Sequence, residues 1–277
     1  VIPQDYITHW STGAPWPSEL QIEQDLVLSR LIVDIANHEL LGRELAFRGG
    51  TCLHKLHLPT ALRYSDDLDY VRTTDGPIGE IIDALRTVTN AIGLEERSRT
   101  ITQGMATYVC RAQAESDGGT IRIKIETNIE ETEAFLPREQ LPYEVVSPWF
   151  EGTCDVSTFA LDELMSTKLR ALYQRRKGRD LFDLWQVLVA LNTDDALIVA
   201  GLDHYMGDDV FTYPQLAQNL KAKLENPDFL RDIETLVTKI PDDYTPTVAA
   251  DLVMERLGAR LRNAPAPQEI VGGAWRA

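Results

Sequence analysis

Between residues 105 and 128 the apolar residues alternate with polar ones, and nowhere else in the chain is a period of two so sustained. "ATYVCRAQAE" and "TIRIKIETNI" read as two strands joined by the turn-forming "SDGG". In the second, Ile121, Ile123 and Ile125 share one face, so Arg122, Lys124 and Glu126 share the other. On either side the period is that of a helix. Leu20, Ile22, Leu26, Leu28, Leu31, Ile32 and Ile35 follow the N-cap candidate Ser18, and helical spacing returns from residue 160 to near the end. Helices, then strands, then helices only: this order predicts an α+β unit to about residue 155 and a helical unit after it. The first 17 residues read as an arm lying on a surface, and residues 263–277, "NAPAPQEIVGGAWRA", as a flexible tail.

At 277 residues, 44% hydrophobic and 25% charged, the chain can bury a core as one large domain or two modest ones. No run reaches the roughly 18 apolar residues of a membrane span, so no membrane is expected. The start lacks the pattern of a signal peptide. Three scattered cysteines suit neither a disulfide framework nor a zinc site, which places the protein in a reducing cytoplasm. His54 and His57 read as helix surface. A net charge of −16 argues against a generic duplex binder. Against that background residues 168–179, "KLRALYQRRKGR", hold six basic side chains and no acid.

Residues 47–71, "FRGGTCLHKLHLPTALRYSDDLDYV", carry the chemistry. "LAFRGG" reads as a strand ending at Gly49 and Gly50, followed by a helix near Thr51 that Pro59 ends. Glycines let the backbone approach a ligand, and a helix start favours an anion; a plain tight turn satisfies the same residues. The spacing is not that of a P-loop. "RYSDDLDYV" reads as a strand with Ser65, Asp67 and Asp69 on one face. Two carboxylates two residue rises apart, about 6–7 Å, can chelate a hard cation such as Mg²⁺; a charged strand edge is the plainer alternative. Glu126 would add a third carboxylate, or serve as a partner for Lys124 or Arg122.

GGT at Gly49, Gly50 and Thr51, then RxSxDxD at Arg63, Ser65, Asp67 and Asp69, resembles the polymerase-β-type nucleotidyltransferase superfamily. Within it the chain is most similar to the AbiEii branch and the MenT-type toxins. "TKLRALYQRRKGRDLFDL" resembles that branch's lysine-bearing helix and RDxxD motif, at Lys168, Arg179, Asp180 and Asp183. The resemblance implies a nucleotidyltransferase domain with a mixed sheet flanked by helices, then a helical domain, divided at residues 1–155 and 156–277. It implies that Asp67, Asp69 and Glu126 hold Mg²⁺ or Mn²⁺, and that Gly49, Gly50, Thr51 and Ser65 hold the phosphates of an NTP. Arg63, Arg179 and Asp183 are assigned to the nucleotide with them. Lys168 is expected to neutralise phosphoryl charge, with Asp180 orienting the basic groups. A residue pair one turn apart can also be a helix cap and a first-turn acid.

The family further implies a toxin of a toxin–antitoxin or abortive-infection system, with tRNA 3′ ends as acceptor and an AbiEi- or MenA-like antitoxin as partner. Transfer to Ser, Thr or Tyr of a protein uses the same site, and an acidic exterior suits it. A catalytically silent nucleotide- or partner-binding module is the runner-up from a different class, favoured a little by the net charge of −16, though it would have no use for a repulsive aspartate pair. Tyr64, Tyr70 and Tyr173 lie near the motifs but are assigned no base-recognition role.

Overall fold

The structure, a computed structural model, describes residues 2–207 and 209–276. The chain forms two compact units that meet at residues 160 and 161.

The first unit is built on a sheet of seven strands among the described residues, ordered β3-β4-β5-β2-β1-β7-β6. The strands are β1 (Leu45–Arg48), β2 (Asp67–Arg72), β3 (Glu95–Thr102), β4 (Met105–Gln113), β5 (Thr120–Asn128), β6 (Glu139–Val146) and β7 (Glu151–Thr158). The sheet is mixed: β2 runs parallel to β5 and β1 parallel to β7, while the remaining neighbours are antiparallel. Helix α1 (Gln4–Trp10) precedes α2 (Glu19–Asn37), which packs on β5, β6 and β7. Ser18 does cap α2, in a reciprocal box with Gln21. α3 (Glu39–Glu44) leads into β1, and α5 (Gly79–Ala91) lies against β3 and α2. Leu26, Leu28, Ile32, Phe47, Leu68, Ile123 and Ile125 are fully buried and form the floor of this unit.

Several elements differ from the sequence reading. The helix after β1 begins at Gly49, two residues early: one α turn (α4, Gly49–Cys52) widens into a π turn over Leu53–His57. That widening draws His54 inward, to 6% exposure, so it is not a surface residue. Burial also pulls the His57 imidazole down to about 4. β2 starts only at Asp67, leaving Ser65 in the preceding loop. β3 and β7 were not foreseen. β3 is almost wholly exposed at the sheet edge, so "EERSRTIT" carries no apolar alternation to betray it. β6, with Pro142, occupies the opposite edge as its proline requires.

The second unit consists of α6 (Leu161–Gln174), α7 (Gly178–Ala190), α8 (Asp195–Met206), α9 (Tyr213–Leu224), α10 (Pro227–Arg231) and α11 (Pro246–Arg256), with short 3₁₀ turns. α6 packs on α7 and α8, and α7 on α11. The Ser166 hydroxyl on α6 donates to the Ile198 carbonyl on α8 (2.8 Å). The expected flexible tail is instead packed. Ile270 and Trp275 are buried, the Trp275 indole donates to Asp251 (2.8 Å), and the Gly272 N–H donates to Glu255 (2.8 Å). Two apolar anchors in a polar Pro/Gly-rich stretch suffice to dock it on α11; Ala277 lies outside the described residues.

Gly49 has φ +82°, and a Cβ there would collide with the Asp69 carboxylate. Gly49→Ala is therefore expected to destabilise the first unit by about 2 kcal/mol, read as a lowered urea midpoint. A change within about 0.5 kcal/mol would mean that the turn does not need its glycine.

Candidate active site

β2 and β5 run parallel with Asp67 beside Lys124 and Asp69 beside Glu126. Side chains at paired positions leave the same face of a sheet, so all four stand together on the face opposite the buried isoleucines. Each is half-exposed. A one-residue slip of β5 would send Lys124 and Glu126 into the core and bring Ile123 and Ile125 out, which burial forbids. On the other side of β2, antiparallel β1 sets Arg48 beside Asp69.

The loop and helix start are tied to this row. The Thr51 hydroxyl, 1% exposed, donates to the Asp67 carbonyl (2.6 Å) and lies 3.0 Å from the Ser65 hydroxyl. Thr51 thus faces inward and positions the first residue of β2. At Gly50 a Cβ would come 2.6 Å from the Arg63 guanidinium and 3.0 Å from the Ser65 hydroxyl. Arg63 is buried in the space the missing side chain leaves, donating to the Tyr64 carbonyl (2.9 Å). Tyr64 and Tyr70 are core residues.

Lys124 is the residue whose part the sequence reading undervalued. Its ammonium lies 2.9 Å from Asp67 Oδ2 and 2.9 Å from Glu126 Oε2. Burial pulls its pKa down, but the hydrogen bonds to Glu126 and Asp67 outweigh that and raise it, so the ammonium keeps its charge. Among the described residues no group of three or more His, Cys, Asp or Glu side chains is gathered as a metal cage. The donor set nevertheless fits a hard cation: three carboxylates share one face, and a cation, the ammonium, already contacts two of them. The clue in the sequence was the spacing of two between Lys124 and Glu126; for Arg48 only the register of β1 reveals the neighbourhood.

In the second unit, Lys168 on α6 contacts Asp183 Oδ2 (2.6 Å) and Asp180 Oδ1 (3.4 Å) on α7. Both aspartates are fully buried, and Lys168 is 7% exposed between Leu164 and Leu172. Arg175 adds a two-pronged pair to Asp180, with Nε and Nη2 each donating at 2.7 Å. Asp180 is in the first turn of α7 but not its cap, which is Lys177. Burial pushes the Asp180 carboxyl up, yet Lys168 and Arg175 outweigh it and hold the group below its ordinary range. Arg179 meets Asp232 instead, through its backbone N–H (3.1 Å) and, at 4.0 Å, its guanidinium. Tyr173 packs edge-on to Phe211, with ring centres 4.4 Å apart.

The sequence model of the family described as "Nucleotidyl transferase AbiEii toxin, Type IV TA system" matches residues 30–259. The chain belongs to that family. It is a nucleotidyltransferase of the toxin type, and the family brings with it a nucleoside triphosphate substrate and an antitoxin partner. Three solved structures share the fold. MenT4, a nucleotidyltransferase toxin of Mycobacterium tuberculosis H37Rv, is similar at TM-score 0.64 and 18% identity, over 100% of this chain and 94% of that one. JHP933 from Helicobacter pylori is similar at 0.52 and 18%, over 88% and 94%. A putative nucleotidyltransferase from H. pylori gives 0.52 and 17%, over 94% and 97%. No curated protein sequence is similar enough to count as a match.

Asp180 owes its depressed pKa to two cations, so its contribution is complete above the unfolded carboxyl value, about 3.9, and is lost as pH falls through the lower folded value. Asp180→Asn is expected to cost about 3–5 kcal/mol at neutral pH. The gap in urea midpoint between wild type and variant should shrink on acidification below about pH 4. A gap that stays constant with pH would show that the ion pairs contribute nothing.

Proposed function

We propose that this AbiEii-family protein is a divalent-metal-dependent enzyme that transfers a nucleotidyl group from an NTP to an acceptor hydroxyl, with the tRNA 3′ end as acceptor. The observation that supports it is the single polar face on β2 and β5, where Asp67, Asp69 and Glu126 stand side by side next to the Gly49–Gly50 turn. Asp67, Asp69 and Glu126 would hold Mg²⁺ or Mn²⁺, which when bound offsets the charge of the triphosphate. The Gly49–Gly50 turn would hold the phosphates through its backbone, since the space of its missing side chains is taken by Asp69 and Arg63, and the Ser65 hydroxyl lies at that turn. Arg63 braces the turn from beneath and Thr51 fixes the backbone of Asp67. The acceptor oxygen forms a bond to the α-phosphorus as its hydroxyl proton passes to solvent, the bond from that phosphorus to the bridging oxygen breaks, and pyrophosphate leaves with the electron pair.

Lys168 is assigned to neutralising phosphoryl charge on the strength of its place in the family signature. Asp180 and Asp183 hold its ammonium, and Arg175 also pairs with Asp180. Arg179 and Asp183 are thereby indirect contributors. We place the reaction in the cytoplasm, where buried thiols such as Cys52, pushed up to about 12 by its burial, stay reduced. Added nucleotides would block aminoacylation, and an antitoxin would restrain the enzyme. The net charge of −16 favours one alternative acceptor, a Ser, Thr or Tyr hydroxyl of a protein.

Incubating the protein with each α-labelled NTP, Mg²⁺ and total cellular RNA tests this reading. Label is expected in tRNA-sized RNA with one donor, reduced about a hundredfold or more by Asp67→Ala. Label on protein would transfer the acceptor role to a side-chain hydroxyl. No label with any donor would leave a nucleotide-binding module without activity.

A further inference from the structure

We infer that Lys124 is a tethered counter-cation of the carboxylate row, held between Asp67 and Glu126 until a divalent ion displaces it. This inference rests on the proposed metal-holding role of those carboxylates and adds a competitor to it.

Three carboxylates on two adjacent strands repel one another wherever no cation stands among them. In this structure one does: the Lys124 ammonium sits 2.9 Å from each of two carboxylates that come from different strands. The pairing β2 to β5 is what makes the bridge, because Lys124 lies directly beside Asp67 and two residues before Glu126 on the same face. An ammonium and a divalent ion need the same oxygen lone pairs, and the Lys124 ammonium already engages one oxygen of each of these two carboxylates. Metal entry therefore requires the Nζ to withdraw. It can: the Lys124 side chain is 23% exposed, and Asp67 and Glu126 are 32% and 29% exposed, so the ammonium has a route to water along a flexible stem.

The second unit supplies the contrast. Lys168 also touches two carboxylates, but Asp180 and Asp183 are wholly buried and Lys168 is 9% exposed at its side chain, so that bridge is a fixture. The exchangeable bridge is the one on the open face. Its consequence is an apparent metal affinity lowered by the fraction of molecules in which Lys124 is docked. The ammonium also offsets part of the row's negative charge when no metal is bound, which eases the repulsion between β2 and β5.

Binding of Mn²⁺ alone, followed by the electron paramagnetic resonance of the free ion, tests this on the full chain without any turnover. Lys124→Met and Lys124→Gln should each tighten Mn²⁺ binding about tenfold, as expected when a competitor docked some nine-tenths of the time is removed. Arg122→Met removes the same charge one pleat along the strand without removing a bridge, and should change affinity by less than about twofold. Asp67→Asn should abolish binding. Equal or weaker Mn²⁺ binding in both Lys124 variants, with their circular dichroism unchanged and Asp67→Asn still defective, would overturn the inference and leave the metal reading intact. Tightening by Arg122→Met as large as by Lys124→Met would also overturn it, since general electrostatics would then suffice. No Mn²⁺ binding by wild type or by either Lys124 variant would remove the metal reading and this inference together.

Discussion

The first unit depends on how it manages negative charge on one face of its sheet. Parallel pairing of β2 with β5 sets Asp67, Asp69 and Glu126 side by side, an arrangement that costs free energy in the absence of a cation. The rest of the local structure holds that row in place. The Thr51 hydroxyl pins the backbone at Asp67, Gly49 yields the space taken by Asp69, and Arg63 fills the space beside Gly50. On the far face, Ile121, Ile123 and Ile125 lock the register, because any slip would bury the charges. Lys124 then closes the row electrostatically.

The two lysine bridges show how burial changes the meaning of one interaction. Around Lys168 the aspartates are removed from water, Arg175 clamps one of them with two donors, and the arrangement of α6 and α7 depends on the cluster remaining intact. Around Lys124 all three groups keep contact with water, so each can exchange its partner for solvent or for another ion at modest cost. A lysine meant to stay is buried with its counter-charges, and a lysine able to leave is not.

The strands and helices with a one-sided apolar pattern were legible from the residues. Ser18 and Gln21 announce the start of α2, and the isoleucines of β5 announce both the strand and its buried face. The elements that were not legible lack such a pattern. β3 is polar on both sides because it is an exposed edge, and β7 places Gly152, Cys154 and Ser157 at its half-buried positions, residues too small or polar to mark an apolar face. The C-terminal segment has the composition of a tail, and only its docking of Ile270 and Trp275 on α11 makes it structure. His54, which without a third ligand at zinc-site spacing reads as helix surface, lies buried in the π turn.

By itself the sequence determined which chemical groups are present and which neighbours along the chain act together: the glycine pair before a helix, the aspartates of β2, the lysine and aspartates of α6 and α7. Those are local matters of spacing, and a period of two or 3.6 residues fixes them before any folding. Tertiary structure alone decided which strand lies beside which. That choice puts Lys124 against Asp67, Glu126 beside Asp69 and Arg48 on the other flank, and it turns Thr51 inward. Pairing between strands distant in sequence is set by which faces can be buried together, a property of the whole sheet that no short stretch of residues contains.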